Sequence, residues 1–314
     1  MNKINALMVI APTCSGKEKL SLKIAEHLNT DIISMDSMKI YKGMDIGTSK
    51  PSQLAQKKCK HHLIDFLEPN QEYNVNQYLA DAKEICINKT QNKQTILFSG
   101  GTSLYAKGLF SGMFDLPSVP SEIRSKLDQE YDLNQEIVYD KLLSIDPQTC
   151  KKVFPNDKKR VIRALEVYEH TGKPISYFQT QFEKQESEYN IYAIGLRWDR
   201  SEMHARIEKR VHWMIEAGLF QEIIELKNKY PEFSKSASRA VGYKEILAHL
   251  KGELTKEEAI ERIIINTRQL CKHQTTWMRK FSINWIDMNS DISEQQQLQQ
   301  ALDLINNRFE NANE

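Results

Sequence analysis

What this chain has little of narrows its class first. Five cysteines among 314 residues, Cys14, Cys59, Cys86, Cys150 and Cys271, form no CxxC pair and no metal-ligand spacing. That argues against a disulfide-stapled scaffold or a structural zinc site and fits a reducing compartment. No apolar run reaches bilayer-spanning length, and the short apolar stretch near the N-terminus lacks a small-residue cleavage site. A soluble cytoplasmic protein with no membrane partner is the expectation. Excess charge is missing too. The formal net charge is +1, so there is no global nucleic-acid footprint and any basic surface must be local. Repeats and low-complexity tracts are absent, and the glutamine cluster Gln295 to Gln300 reads as helix surface. What remains is a chain long enough to bury a real core, as one large domain or two modest ones.

What is present is organised around Val9 to Leu20. Ala6 to Ile10 reads as a buried parallel strand, a tight loop with Gly16 and Lys17 follows, and Leu20, Leu22, Ile24, Ala25 and Leu28 recur at helical spacing. Strand, glycine loop, lysine and helix is the context of a phosphate-binding loop. Backbone N–H groups at the helix start face an anion, and the lysine adds a point charge. Ala11 opens the loop where glycine is usual, which only a positive φ would forbid. Glu18 closes it where a Ser or Thr hydroxyl normally meets magnesium. A carboxylate about 4 Å from a phosphate costs roughly 4 kcal/mol at an effective dielectric near 20, unless a metal lies between. Alone, the loop reads equally as an ordinary strand-to-helix turn.

Ile32 to Met35 reads as a second strand ending in Asp36-Ser37. An acid there sits where doubly wound folds keep their chemistry, and is equally a helix N-cap. Tyr41 to Pro51 reads as an ordered loop. His61 to Asp65 reads as a short strand whose adjacent histidines point to opposite faces, a poor metal pair. Tyr73 to Asn88 is helical, and Thr95 to Ser99 is a buried strand running into Gly100-Gly101-Thr102. This alternation predicts a parallel α/β sheet.

From Pro117 to about Glu188 strand signal nearly vanishes. Helical patterns at Ile123–Tyr131, Ile137–Leu143 and Val161–Tyr168 predict a helical insertion, residues 117–188, between core halves 1–116 and 189–314. Within it Lys151, Lys152, Lys158, Lys159, Arg160 and Arg163 accompany only one acid, Asp157. That is a candidate phosphate-backbone surface or a solvated charge run. Another strand follows at Ile191 to Leu196, and helices dominate afterwards. One, Glu202 to Ala217, carries Arg206 and Arg210 on one face. The pair suits a diphosphate-like oxyanion, or ion pairing with Glu202 or Glu208. Glu261 to Lys280, with Arg262, Arg268, Lys272, Arg279 and Lys280 around His273 and Trp277, reads as a nucleic-acid-facing helix.

The ordered set is specific. It comprises Pro12-Thr13-Cys14-Ser15-Gly16-Lys17, Asp36-Ser37, Tyr41 to Thr48, His61 to Asp65, and Gly100-Gly101-Thr102-Ser103-Leu104-Tyr105. Pro155-Asn156-Asp157 with Arg160, Arg163 to Val167, Thr171-Gly172, Arg206 with Arg210, Val241 to Glu245, and Thr267-Arg268-Gln269 through Trp277 complete it. From the loop to about Asp287 the chain resembles the tRNA dimethylallyltransferases. The resemblance implies a P-loop-kinase-like parallel sheet flanked by helices, with the insertion contacting tRNA. It also implies transfer of a dimethylallyl group from its diphosphate to the exocyclic amine of the adenosine beside the anticodon, that base being flipped out at a cost of a few kcal/mol. Mg²⁺ would be the cofactor and the tRNA anticodon stem-loop the partner, with the enzyme a monomer.

Residue by residue, the resemblance makes Asp36 the acceptor of the adenine amine's proton, with Thr102 on the same base. Ala11, Pro12, Thr13, Cys14, Ser15, Gly16, Lys17 and Glu18 would hold the diphosphate, with Thr13, Ser15, Gly16 and Lys17 donating to it. Arg206 and Arg210 would steady the leaving group. Ser37, Met38, Lys39, Arg124, Lys159, Arg160, Val161, Ile162, Arg163, Arg239, Ala240, Val241, Gly242, Tyr243 and Lys244 fall at tRNA-contact positions, alongside Asp36 and Thr102. The sequence departs from the pattern at Ala11, at Glu18, at Lys39 where glutamine or an apolar residue is more usual, and at His273 in place of an arginine. Glu18 leaves open a direct magnesium ligand, a side chain pointing away, or a slowed or non-catalytic tRNA-binding paralogue. A P-loop nucleotide kinase is a further alternative; it would need the missing loop hydroxyl and leaves the basic insertion without a purpose.

Overall fold

A computed structural model describes residues 3–113, 119–182 and 187–310; the boundary expected at Pro117 lies outside them. The chain forms two compact units, Met1–Phe110 with Glu188–Glu314, and Ser111–Ser187.

The larger unit is built on six strands: β1 (Ile4–Ile10), β2 (Ile32–Met35), β3 (His61–His62), β4 (Leu97–Gly100), β5 (Tyr189–Trp198) and β6 (Asn284–Met288). Their order is β3-β2-β4-β1-β5-β6 and every pairing is parallel. A parallel sheet needs cover on both faces, so its strands are apolar on both. Ala6, Met8 and Ile10 of β1 pack on one side with Tyr78, Ala82 and Cys86 of the helix Val75–Gln91 and Tyr105 and Leu109 of the helix Ser103–Ser111. Leu7 and Val9 pack on the other with Leu20 and Ile24 of Lys17–His27 and Ala301 and Ile305 of Glu294–Glu310. A third cluster joins the helices Arg200–Glu216, Leu219–Lys229, Tyr243–Leu250 and Lys256–Met278 through Ile207, Ile223, Tyr243 and Ile263.

Two strand readings change. His61 to Asp65 shortens to a two-residue β3, because Leu63 and Asp65 take φ of 58° and leave the extended region. β6 is a strand where the sequence suggests helices, and it extends the sheet beyond β5.

The smaller unit is helical among its described residues. Helices Ser121–Leu133, Gln135–Ile145 and Lys158–Thr171 share a core of Leu127, Leu142, Val161, Ile162 and Leu165.

Candidate active site at the carboxyl ends of the strands

Strand register assembles the site. Gly100 at the end of β4 is paired with Ile10 of β1 on one side and Met35 of β2 on the other. The three residues that follow, Ala11, Asp36 and Gly101, therefore leave the sheet side by side. Gly101 and Thr102 both donate their N–H to the Met35 carbonyl at 3.2 Å. Only glycine fits at 100, since a Cβ there would collide with the Met35 carbonyl. Close backbone approach is what the double glycine supplies.

The loop from Ala11 to Lys17 turns as a phosphate loop does. Ala11 is not among the positive-φ residues, so it needs no glycine, whereas Gly16 sits at φ 93° and Cys14 at 63°. The Ser15 hydroxyl accepts from the Lys17 N–H at 3.4 Å. Among the described residues nothing accepts from the Cys14 or Gly16 N–H, the donors an anion takes up at a helix start. Burial, outweighing the Thr13 hydroxyl and the charges of Lys17, Arg210 and Arg206, pushes the Cys14 thiol above its ordinary value. The thiol stays protonated and is no nucleophile.

Arg206 donates from Nε to the Cys14 carbonyl at 3.0 Å and stacks over the Trp198 ring at 3.9 Å. Arg210, one turn on, donates to the Ser49 hydroxyl and stacks on Trp213. Pairing with Glu202 or Glu208 is not what the structure shows. Glu208 holds Arg268 at 3.2 Å and Glu202 accepts from the Ser290 N–H. Among the described residues neither arginine has a carboxylate partner, and both stand by the loop with charge to give.

On the base side, Asp36 Oδ1 accepts from the N–H groups of Met38 (2.9 Å) and Lys39 (3.3 Å). No helix starts here, so Asp36 is not an N-cap: its Oδ1 closes a turn, which fixes the carboxylate and leaves Oδ2 without a donor among the described residues. Thr102 Oγ1 accepts from the Ser37 N–H at 3.0 Å, locking the two strand ends together.

Glu18 is an ion-pair partner rather than an open metal ligand. Its Oε1 lies 2.6 Å from Lys39 Nζ and 3.9 Å from Lys17 Nζ. Burial would raise its carboxyl, but the two ammonium groups hold it below the ordinary value. Lys39 correspondingly points inward, its side chain only 4% exposed. The resemblance puts Lys39 among the tRNA contacts, whereas its side chain is turned to Glu18.

Several other expected tRNA contacts are packing residues. Val161 and Ile162 are 0% and 1% exposed inside the helical unit, out of reach of any ligand. Ala240 and Tyr243 are buried, the tyrosine hydroxyl donating to Glu222, and Gly242 caps a helix at φ 95°. Arg163 pairs with buried Glu166 at 2.6 Å, and Arg124 approaches the same carboxylate at 3.8 Å. Lys159, Arg160, Arg239 and Lys244 are exposed, Ser37 and Met38 half-buried, and Val241 packs at the edge of the third cluster.

The profile of the IPP transferase family matches residues 39–281. The tRNA dimethylallyltransferase of Halothermothrix orenii is 42% identical over 288 residues, covering 90% of this chain and 88% of its own. The chain belongs to the IPP transferase family. The tRNA dimethylallyltransferase of Acetivibrio thermocellus is 40% identical over 286 residues, covering 90% of this chain and 91% of its own. The full-length tRNA isopentenylpyrophosphate transferase from Bacillus halodurans superposes with a TM-score of 0.72 at 32% identity, over 98% of both chains. A eukaryotic dimethylallyltransferase acting on tRNA reaches 0.81 at 25% identity, over 96% of this chain and 80% of that one. The six-stranded parallel sheet flanked by helices is thus the fold of IPP transferases.

Three further residues shape this IPP transferase's site. Gln274 accepts from the Thr13 N–H and donates to the Gly101 carbonyl, both at 2.8 Å, clamping the phosphate loop to the Gly-Gly turn. Trp198 donates from its indole to the Ser15 carbonyl at 2.9 Å. Glu222 accepts from the N–H groups of Asp45, Ile46 and Gly47, which orders the loop after Tyr41. Helical spacing in the first case, and a strand end in the second, leave nothing to single them out.

Proposed function

We propose that this chain, a tRNA dimethylallyltransferase by family, joins dimethylallyl diphosphate to adenosine beside the tRNA anticodon at the ends of β1, β4 and β2. The observation that carries the reading is the register that sets the Lys17 loop, Thr102 and Asp36 next to one another. The diphosphate lies on the free N–H groups of Cys14 and Gly16, with Thr13, Ser15 and Lys17 completing the cradle and Arg206 and Arg210 closing over it. The adenine amine nitrogen attacks C1 of the dimethylallyl group. The C1–O bond breaks with its electron pair passing to the diphosphate, and the amine proton passes to the Asp36 carboxylate. The amine is a weak nucleophile, so charge building on the leaving group dominates the barrier, and preorganised guanidinium and ammonium groups are placed to stabilise it. Thr102, anchored to Ser37, steers the base.

Contacts to tRNA fall to exposed cations: Lys159 and Arg160 on the helical unit, Arg239 and Lys244 on the larger one. At Glu18, where family pattern implies magnesium, Oε1 is already held by Lys39. No step is assigned to the metal. Because Lys39 and Lys17 neutralise Glu18, the repulsion that pointed to an impaired copy loses its basis.

Nucleoside mass spectrometry of tRNA incubated with the purified chain and dimethylallyl diphosphate tests the reading. Appearance of a prenylated adenosine is the expected result; an unchanged profile with intact tRNA binding would reduce the protein to a binding paralogue.

A further inference from the structure

Glu18 and Lys39 are separate oddities in the sequence and one device in the structure. The phosphate-loop pattern places a hydroxyl at position 18 to meet magnesium. Here the side chain at that position is a carboxylate, and the cation it holds is the protein's own: Lys39 Nζ at 2.6 Å. The ammonium is fully enclosed, so it is not there for solvation or for a surface ion pair. The Lys39 backbone N–H is tied to Asp36, and its side-chain stem runs back to the phosphate loop. Lys17 approaches the same Glu18 oxygen at 3.9 Å. Two ammonium groups thus converge on one carboxylate at the mouth of the anion cradle, with Arg206 beside Cys14 on the loop's other side. Glu18 remains 36% exposed at its side chain, so the pair is buried on the lysine side only.

We propose that the buried Lys39–Glu18 pair takes the place that a loop hydroxyl and its magnesium take in an ordinary phosphate loop. The diphosphate is then bound by a metal-independent set, Lys17, Arg206 and Arg210, with that pair behind the loop. Lys39 and Glu18 are both positioning residues, and neither works without the other. This rests on the diphosphate reading above and adds to it what stands in for the metal.

Calorimetric titration of the full chain with sodium diphosphate, in EDTA and in saturating MgCl₂, tests it without involving tRNA, whose folding needs magnesium. For the unaltered protein the dissociation constant should change by no more than about threefold between the two conditions, under 1 kcal/mol. The paired variant Glu18→Thr with Lys39→Gln restores the hydroxyl and removes the internal cation. It should bind about tenfold or more weakly in EDTA and recover with magnesium. Each single variant should bind more weakly than the pair in MgCl₂, since one leaves an anion facing the ligand and the other an unanchored ammonium. A tenfold magnesium requirement in the unaltered protein would overturn the proposal even if no variant folds. Absence of diphosphate binding in both conditions would overturn the anion-site reading itself, and the proposal with it.

Discussion

At the scale of single residues, Asp36 separates chemistry from scaffolding. One carboxylate oxygen holds the Met38 and Lys39 N–H groups, and the other faces no donor among the described residues. Asp36→Asn keeps an oxygen for the turn and removes the proton acceptor. Turnover should fall about 10²-fold to 10⁴-fold with melting temperature and tRNA affinity preserved, measured by single-turnover transfer and filter binding. A matching loss of affinity would make Asp36 a binding group. This residue is legible because it ends a strand beside a recognisable loop. Gln274 is not: its two hydrogen bonds join segments that only the folded sheet brings together. Nor can the coupling of Glu18 to Lys39 be read, since a charge on a helix start and another past a different strand share no periodicity. Val161 and Ile162 mislead for the opposite reason. The resemblance puts them among the tRNA contacts, yet the helix turns these two inward.

Elements are legible wherever periodicity is long, and their ends are set by caps. The helix from Val75 starts at an Asn74–Gln77 capping box, and Lys256–Met278 begins earlier than its basic pattern suggests because Thr255 and Glu258 form another. The apparent excess of bases near Asp157 shrinks for a tertiary reason. Lys158 pairs with Asp128 and Asp132 from a neighbouring helix. The helix Glu294–Glu310, legible only as polar surface, packs on Lys17–His27 and is pinned by Glu294 between Lys19 and Lys23, both at 2.9 Å. Hydrogen bonds from Lys19 and then Lys23 hold the Glu294 carboxyl down at about 2. A depressed carboxyl stabilises the folded state above its ordinary value of 4.5 and loses that contribution as pH falls toward 2. Glu294→Gln should therefore lower the melting temperature at pH near 6 by an amount that shrinks by about pH 3. The pair is half exposed, so the shift is modest, and thermal melts across that range check it.

For the whole molecule, near-neutral composition conceals local separation of charge. Lys17, Arg206 and Arg210 gather at the strand ends of the larger unit, while Lys159 and Arg160 lie exposed on the helical one. Replacing those two by alanine should weaken tRNA binding evenly across tRNA species. The slope of log affinity against log salt should fall by about 1 for each phosphate no longer neutralised, with transfer at saturating tRNA unaffected. Unchanged slopes would move the tRNA-facing surface elsewhere.

The Trp198 indole, bonded to the Ser15 carbonyl and covered by the Arg206 guanidinium, gives the protein a built-in optical probe. Any anion that draws Arg206 off the ring must alter the quenching of that fluorophore. Emission should therefore track occupancy of the cradle in real time, and Trp198→Phe should remove the share that reports on Arg206, leaving that of Trp213 under Arg210.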